Sequence, residues 1–242
     1  MRRLRTVIHA HTNYSPDSNR SPLELVETAL GQGVDCVAIT DHDEIEGALA
    51  ARADGRVRVI VGQEVSTADG HLLGLFLEEL VPPGRPAVET AKRIHARGGL
   101  VLAPHPFSTL CDDSLGSAIV GLLPHLDAVE VSNARNPLPW QDARAARFAR
   151  RHGLPGYVGA DAHLRGTLAA CYQLMPDFQD AASFRTALLQ AELFPGRLGV
   201  AYLATMVCQS LCSSLLGRPL PGFGGNAATR PALAPARQPA GA

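Results

Sequence analysis

Nine side chains of metal-binding type recur between positions 9 and 163, most of them just past a short apolar run. His9 and His11 follow Thr6–Val7–Ile8, and Asp17 comes in the next loop. His42 closes the run Val37–Ala38–Ile39–Thr40, Glu64 follows Val59–Ile60–Val61, and His71 precedes Leu72–Leu73. His105 follows Leu100–Val101–Leu102, and Asp161 and His163 follow Tyr157–Val158. Imidazole and carboxylate groups repeated at strand ends are the means by which a barrel assembles a site for several cations. No cysteine falls in the set, so Mn, Zn or Fe suits it better than a thiolate centre.

Local spacing supports this chemistry. In His9–Ala10–His11 the two imidazoles are two residues apart, and alternate residues of a strand share a face, so both can reach one ion. Asp41 and Asp43 flank His42. Asp41 is expected to orient a ligand or pass a proton to the leaving group, and Asp43 to cap a helix starting near Ile45. Arg20, Asn133 and Arg135 lie in loops beside these positions, where an arginine fork suits a phosphate group. The plainer reading of the arginines is surface charge in a chain whose only lysine is Lys92. His95, His125 and His152 fall in or near helical segments and read as structural.

The elements that must carry these residues alternate. Ser21–Pro22–Leu23–Glu24 is a helix start, with Ser21 as cap, Pro22 in the first turn and Glu24 completing a capping box. Leu23, Val26, Ala29 and Leu30 then share a face, and Gly33 supplies the stop. Strands are expected at 36–40, 57–61, 72–77, 100–103, 128–131 and 156–159. Helices are expected at 45–52, 86–97, 140–152 and 181–193. Strands alternating with helices imply parallel βαβ units, and about seven of them suggest a closed or nearly closed barrel over an open doubly wound sheet. Periodicity alone leaves that choice open.

Bulk composition sets limits. The chain has 242 residues, of which 46% are hydrophobic, enough for one sizeable core. A formal net charge of −1 gives no electrostatic hold on long nucleic acid. The five scattered cysteines match no zinc or secreted-scaffold spacing and read as reduced thiols of a cytoplasmic protein. The apolar stretch Val200–Leu216 contains Gln209, Ser210, Ser213 and Ser214 and falls short of a membrane span, so a packing helix and no membrane association are expected. From Arg218 onward Pro, Ala and Gly dominate without apolar period, the pattern of a disordered tail.

As an ordered series, these motifs resemble the PHP (polymerase and histidinol phosphatase) family of metal-dependent phosphoesterases, from about Val7 to Leu164 and more weakly to Leu193. The resemblance implies an α/β fold, a distorted (β/α)7 TIM-like barrel with the metal site at the C-terminal ends of the strands. It implies a PHP domain over 1–198, followed by a C-terminal apolar helix at 199–217 and a tail at 218–242. It also implies one site from His9, His11, Glu64 and Asp161, a second from Glu64, His71 and His105, and a third from Asp17, His42 and His163. Ala160 stands where the family often has serine, which removes a hydroxyl but no ligand.

The reaction so implied is hydrolysis of a small phosphate ester by a hydroxide bridging two or three divalent ions, with Glu64, Asp161 and Asp41 as catalytic residues and Arg20, Asn133 and Arg135 holding substrate. Two close cations bring such a hydroxide into existence near neutral pH and neutralise phosphoryl oxygens. Nucleoside phosphates, short oligonucleotide ends or histidinol phosphate are the expected substrates. One alternative is an amidohydrolase-like metal hydrolase, against which stands Lys92, mid-helix rather than at a strand end. Another is a non-catalytic metal-binding sensing module on the same fold, against which stands the cost of unused buried acids and imidazoles.

Overall fold

A computed structural model describes residues 2–109, 113–164, 166–199 and 202. Its elements in order are β1 (Arg3–Ala10), α1 (Pro22–Gly31), β2 (Cys36–Ile39), α2 (Glu46–Asp54), β3 (Arg58–Thr67) and β4 (Gly70–Leu75). Then follow α3 (Ala87–Ala96), β5 (Leu100–Ala103), α4 (Ile119–Leu122), β6 (Ala128–Asn133), α5 (Pro139–Arg151) and β7 (Gly156–Ala162). The last are β8 (Tyr172–Pro176), α6 (Ala181–Leu188) and β9 (Glu192–Phe194).

Seven strands, β1 through β7, pair in sequence order and β1 closes on β2, giving a barrel with helices outside. The barrel is not wholly parallel. β4 runs antiparallel to both β3 and β5, because only the two-residue turn Ala68–Asp69 joins it to β3 and a parallel return needs a long crossover. β8 pairs antiparallel with Arg3–Thr6 of β1, below the point where β7 pairs with Ile8. Where β1 changes partner, the Gln173 amide fills the gap, donating to the carbonyls of Thr6 and Val158 and accepting from Val158 N.

Two apolar layers hold the barrel. One lies between strands and helices and takes Val7, Val37, Ile39, Leu25, Val26 and Ile94. The other fills the interior with Ile8, Ala38, Ile60, Leu73, Leu102 and Tyr157. Alternating residues of one strand, such as Val37 and Ala38, divide between the layers as strand geometry requires. Phe178, Phe184 and Leu188 join the inner layer with Leu4, Cys36 and Leu100, each at the start of its strand, first or second in it. That contact seals the end of the barrel opposite the candidate site.

Local expectations hold in part. Ser21 caps α1, with Ser21 Oγ accepting from Glu24 N and the Glu24 carboxylate accepting from Ser21 N. Asp43 does not cap α2: its carboxylate accepts from Ser66 N, and Glu44 accepts from Ile45 N instead. The helix expected to reach Leu193 stops at Leu188, and β9 follows, paired with a strand, β8, that the sequence did not signal. Except for Tyr202, the expected helix at 199–217 and tail at 218–242 lie outside the described residues. Among the described residues no helix is long and apolar enough to cross a membrane.

Candidate metal centre

The parallel strands all deliver their C-terminal ends to one mouth, and the reversed β4 brings its first residues there too. His71, the one residue of the nine that precedes its apolar run, therefore arrives beside the others. Four overlapping groups result, each with its donor atoms within 4.8 Å of one another: His11–Asp17–His42–His163, His9–His11–Asp161, His9–Glu64–His105 and His42–Glu64–His71.

Glu64 stands at the middle. Its Oε1 lies 2.9 Å from His71 Nδ1 and 3.1 Å from His105 Nε2, and its Oε2 lies 3.0 Å from His9 Nε2 and 3.3 Å from His11 Nε2. Asp161 Oδ1 is 3.7 Å from both His9 and His11. Asp17 Oδ2 lies 2.8 Å from His163 Nε2 and 3.6 Å from His42 Nε2. His11 and His163 stack with ring centroids 4.1 Å apart.

The outer partners show which ring nitrogens face inward. Ser15 Oγ donates to Asp41 Oδ1 and accepts from His42 N, so the proton between it and His11 Nδ1, 3.0 Å away, must come from the imidazole. His11 Nε2 is then a bare lone pair, buried and without a hydrogen-bond partner. In the same way Glu130 Oε1, 3.1 Å from His9 Nδ1, and the Asp161 carbonyl, 2.9 Å from His163 Nδ1, turn the Nε2 atoms of those rings toward the carboxylates. Without metal the carboxylates draw a proton onto rings such as His9 and His42, whose affinity for it is raised, and a divalent cation is the natural replacement for that proton.

Electrostatics agree. Burial alone would raise the Glu64 carboxyl, but His9 and His42 hold it well below the usual carboxylate range. Burial likewise works against Asp161, and Arg135, His9 and His163 overcome it. Burial, together with His163 and His42, pushes His11 down to about 3, leaving it neutral.

Strain concentrates here. Five described non-glycine residues have left-handed φ, and His9 (70°), His105 (25°) and Asp161 (46°) are three of them. His9 sits in a β-bulge, so His9 and His11 converge through this twist and not through simple strand alternation.

The remaining sequence-expected residues take distinct places. Asp41 is fully buried behind His11, bound to Thr12 N at 2.6 Å and to Thr12 Oγ1 at 2.7 Å, and burial pushes its pKa up to about 6. It acts on the centre through Ser15. Arg20 is also fully buried and donates to the Ala162 carbonyl at 3.2 Å, bracing the end of β7. Asn133 donates to Asp161 Oδ2 at 3.1 Å and to Glu130 Oε2 at 2.9 Å. Arg135 Nη1 donates to Asp161 Oδ1 at 3.0 Å and lies 3.2 Å from His163 Nδ1. His95 pairs with Asp127 on the far side of β5.

Glu130, at the end of the run Ala128–Val131, reads from the sequence as a residue that orients some neighbour, and the structure identifies which. Besides His9 and Asn133, it accepts a short hydrogen bond from His105 N. Gly159 makes room for it, since a Cβ there would lie 1.5 Å from Glu130 Oε1. An acid ending the run Ala128–Val131 was the available signal, but nothing local tied it to His9.

Comparison with known proteins places these residues in context. The model of the PHP domain matches residues 8–140, and that of the PHP-associated region matches 139–193. An uncharacterized protein of Methanocaldococcus jannaschii is 38% identical over 144 residues, covering 54% of this chain and 82% of that protein. A 5'-3' exoribonuclease of Haemophilus influenzae is 34% identical over 98 residues, covering 37% of this chain and only 35% of the exoribonuclease. A two-domain protein of Bacteroides vulgatus containing a predicted PHP-like metal-dependent phosphoesterase superposes with a TM-score of 0.68 at 16% identity, over 80% of this chain and 65% of that one. The structural likeness concerns the fold.

Proposed function

Because the chain belongs to the PHP domain family, we propose that it is a metal-dependent phosphoesterase acting on a small phosphate ester, such as a nucleoside phosphate or the end of a short oligonucleotide. The observation that carries the reading is the sharing of one buried carboxylate, Glu64, among four imidazoles from three strand ends, those of β1, β4 and β5. The exoribonuclease relative supports oligonucleotide ends as one substrate class, and the net charge of −1 favours short ligands over long nucleic acid.

Two or three divalent ions of Mn, Zn or Fe fit the chain's donors. His9, His11, Glu64 and Asp161 would hold one, Glu64, His71 and His105 a second, and Asp17, His42 and His163 a third. Ions so held supply a water of lowered pKa and neutralise phosphoryl charge. The protein's part would be to hold the rings by Nδ1, as Ser15, Glu130 and the Asp161 carbonyl do, so that each Nε2 faces the centre. Arg135, a quarter exposed, is placed to meet a phosphoryl oxygen, while Asn133 holds Asp161 in line with it. Arg20, fully buried, supports the end of β7 through the Ala162 carbonyl.

The test is a panel assayed with added Mn(II): nucleoside phosphates and bisphosphates, short oligonucleotides, histidinol phosphate, cyclic phosphates and an amide control. Hydrolysis of phosphate esters that a chelator abolishes is expected. Cleavage of the amide alone, or of nothing, rejects the proposal.

A further inference from the structure

Beyond β9 the chain returns to the mouth of the barrel. Arg197 donates to Asp142 Oδ2 at 2.9 Å, and Leu198 N donates to the Ala134 carbonyl at 2.8 Å, next to Arg135. These contacts pin the segment to the loop after β6. Tyr202 follows, its backbone N donating to the Gly199 carbonyl at 2.9 Å. Its side chain is half-buried, and its hydroxyl is fully shielded with no hydrogen-bond partner among the described residues. Burying a hydroxyl unpaired costs about 1–3 kcal/mol, so such a group calls for a partner.

The surroundings identify that partner's chemistry. The charges acting on the phenol are those of Arg135, Asp161, Asp17 and Arg20, which ring the end of the centre formed by Asp17 and His163. Burial pushes the phenol up to about 12, so it is protonated at neutral pH and can donate. A donor on the segment bonded beside Arg135, and within reach of the Arg135, Asp161 and Asp17 charges, suits an oxyanion.

We propose that the Tyr202 hydroxyl donates a hydrogen bond to a phosphoryl oxygen of the substrate at the Asp17–His163 end of the centre. The role is one of substrate contact and rests on the phosphoesterase reading above. It gives the segment following the barrel a share in the site, which a strand-end motif series does not contain.

The experiment uses the full chain loaded with metal. Wild type and Tyr202→Phe are titrated calorimetrically with inorganic phosphate and assayed on any ester the wild type hydrolyses. Phenylalanine keeps the ring and removes only the hydroxyl. Phosphate binding is expected to weaken about tenfold, as for loss of a hydrogen bond to a charged group, and KM to rise with it. Metal content and thermal midpoint are expected to stay as in wild type. Equal phosphate affinity in both proteins, or no phosphate binding by wild type, overturns the inference while ester hydrolysis leaves the phosphoesterase reading standing. Tyr202-dependent phosphate binding in a protein that hydrolyses no ester keeps the inference and removes that reading.

Discussion

His9 Nδ1 and Glu130 Oε1 lie 3.1 Å apart beneath the centre, both side chains wholly shielded from solvent. The same carboxylate holds the His105 backbone and the Asn133 amide, so one side chain braces two candidate ligands and the partner of a third. Removing it frees His9 to turn or change tautomer. Glu130→Ala is expected to weaken metal binding roughly 10- to 100-fold, the usual cost of losing a ligand's outer partner. Competition against a chelator of known affinity measures this, and an unchanged affinity would discard the bracing role.

Glu64→Gln should fold, since the amide is isosteric, yet bind fewer ions and lose phosphoesterase turnover. The loss is expected to exceed about a hundredfold, more than an outer-partner substitution costs. Metal analysis and kinetics on the same sample check it. Turnover at the wild-type level would remove Glu64 from the mechanism.

Arg135→Lys keeps the charge and loses the planar fork that reaches Asp161 and the mouth. A rise in KM of roughly tenfold is expected, with metal content retained. Steady-state kinetics that show KM unaltered would place substrate elsewhere.

Without metal, stability should depend on pH at both extremes. Burial alone would lower His42, but Glu64 and Asp17 raise it to about 9. A folded value above the unfolded one, near 6.5, gives stability that is complete below about 6.5 and is lost as pH rises through 9. Glu64 and Asp161 are depressed in the folded protein, so their contribution is present above about 4 and is lost as pH falls further. The thermal midpoint of the chelator-treated protein should therefore decline on each side. Bound metal takes the place of the protons, so the alkaline decline should vanish in the loaded protein; a decline of equal size in both would contradict the cluster's electrostatics.

At the sealed end, Phe184 is fully buried against Phe178 and Phe76, with centroids 4.9 and 5.3 Å away. Phe184→Ala should cost about 3–5 kcal/mol through the cavity it leaves. Denaturant unfolding measures this, and metal affinity at the opposite mouth should not change. A loss below about 1 kcal/mol would mean that α6 does not plug the barrel.

The types and order of the nine clustered residues are plain in the sequence, and so is the start of α1, because a capping box and short β-branched runs are local patterns. Local patterns also misled: Asp43 precedes a helix as a cap would, but the bridge between His42 and Glu64 draws its carboxylate to Ser66 N. The direction of β4, the pairing of β8 and β9, the left-handed turns at His9 and Asp161, and the reach of Glu130 across 121 residues to His9 belong to the tertiary structure. Chain sequence carries residue chemistry and short-range period. Which edges pair, and which distant side chain meets a ring nitrogen, is decided only when the closed barrel brings its strand ends together.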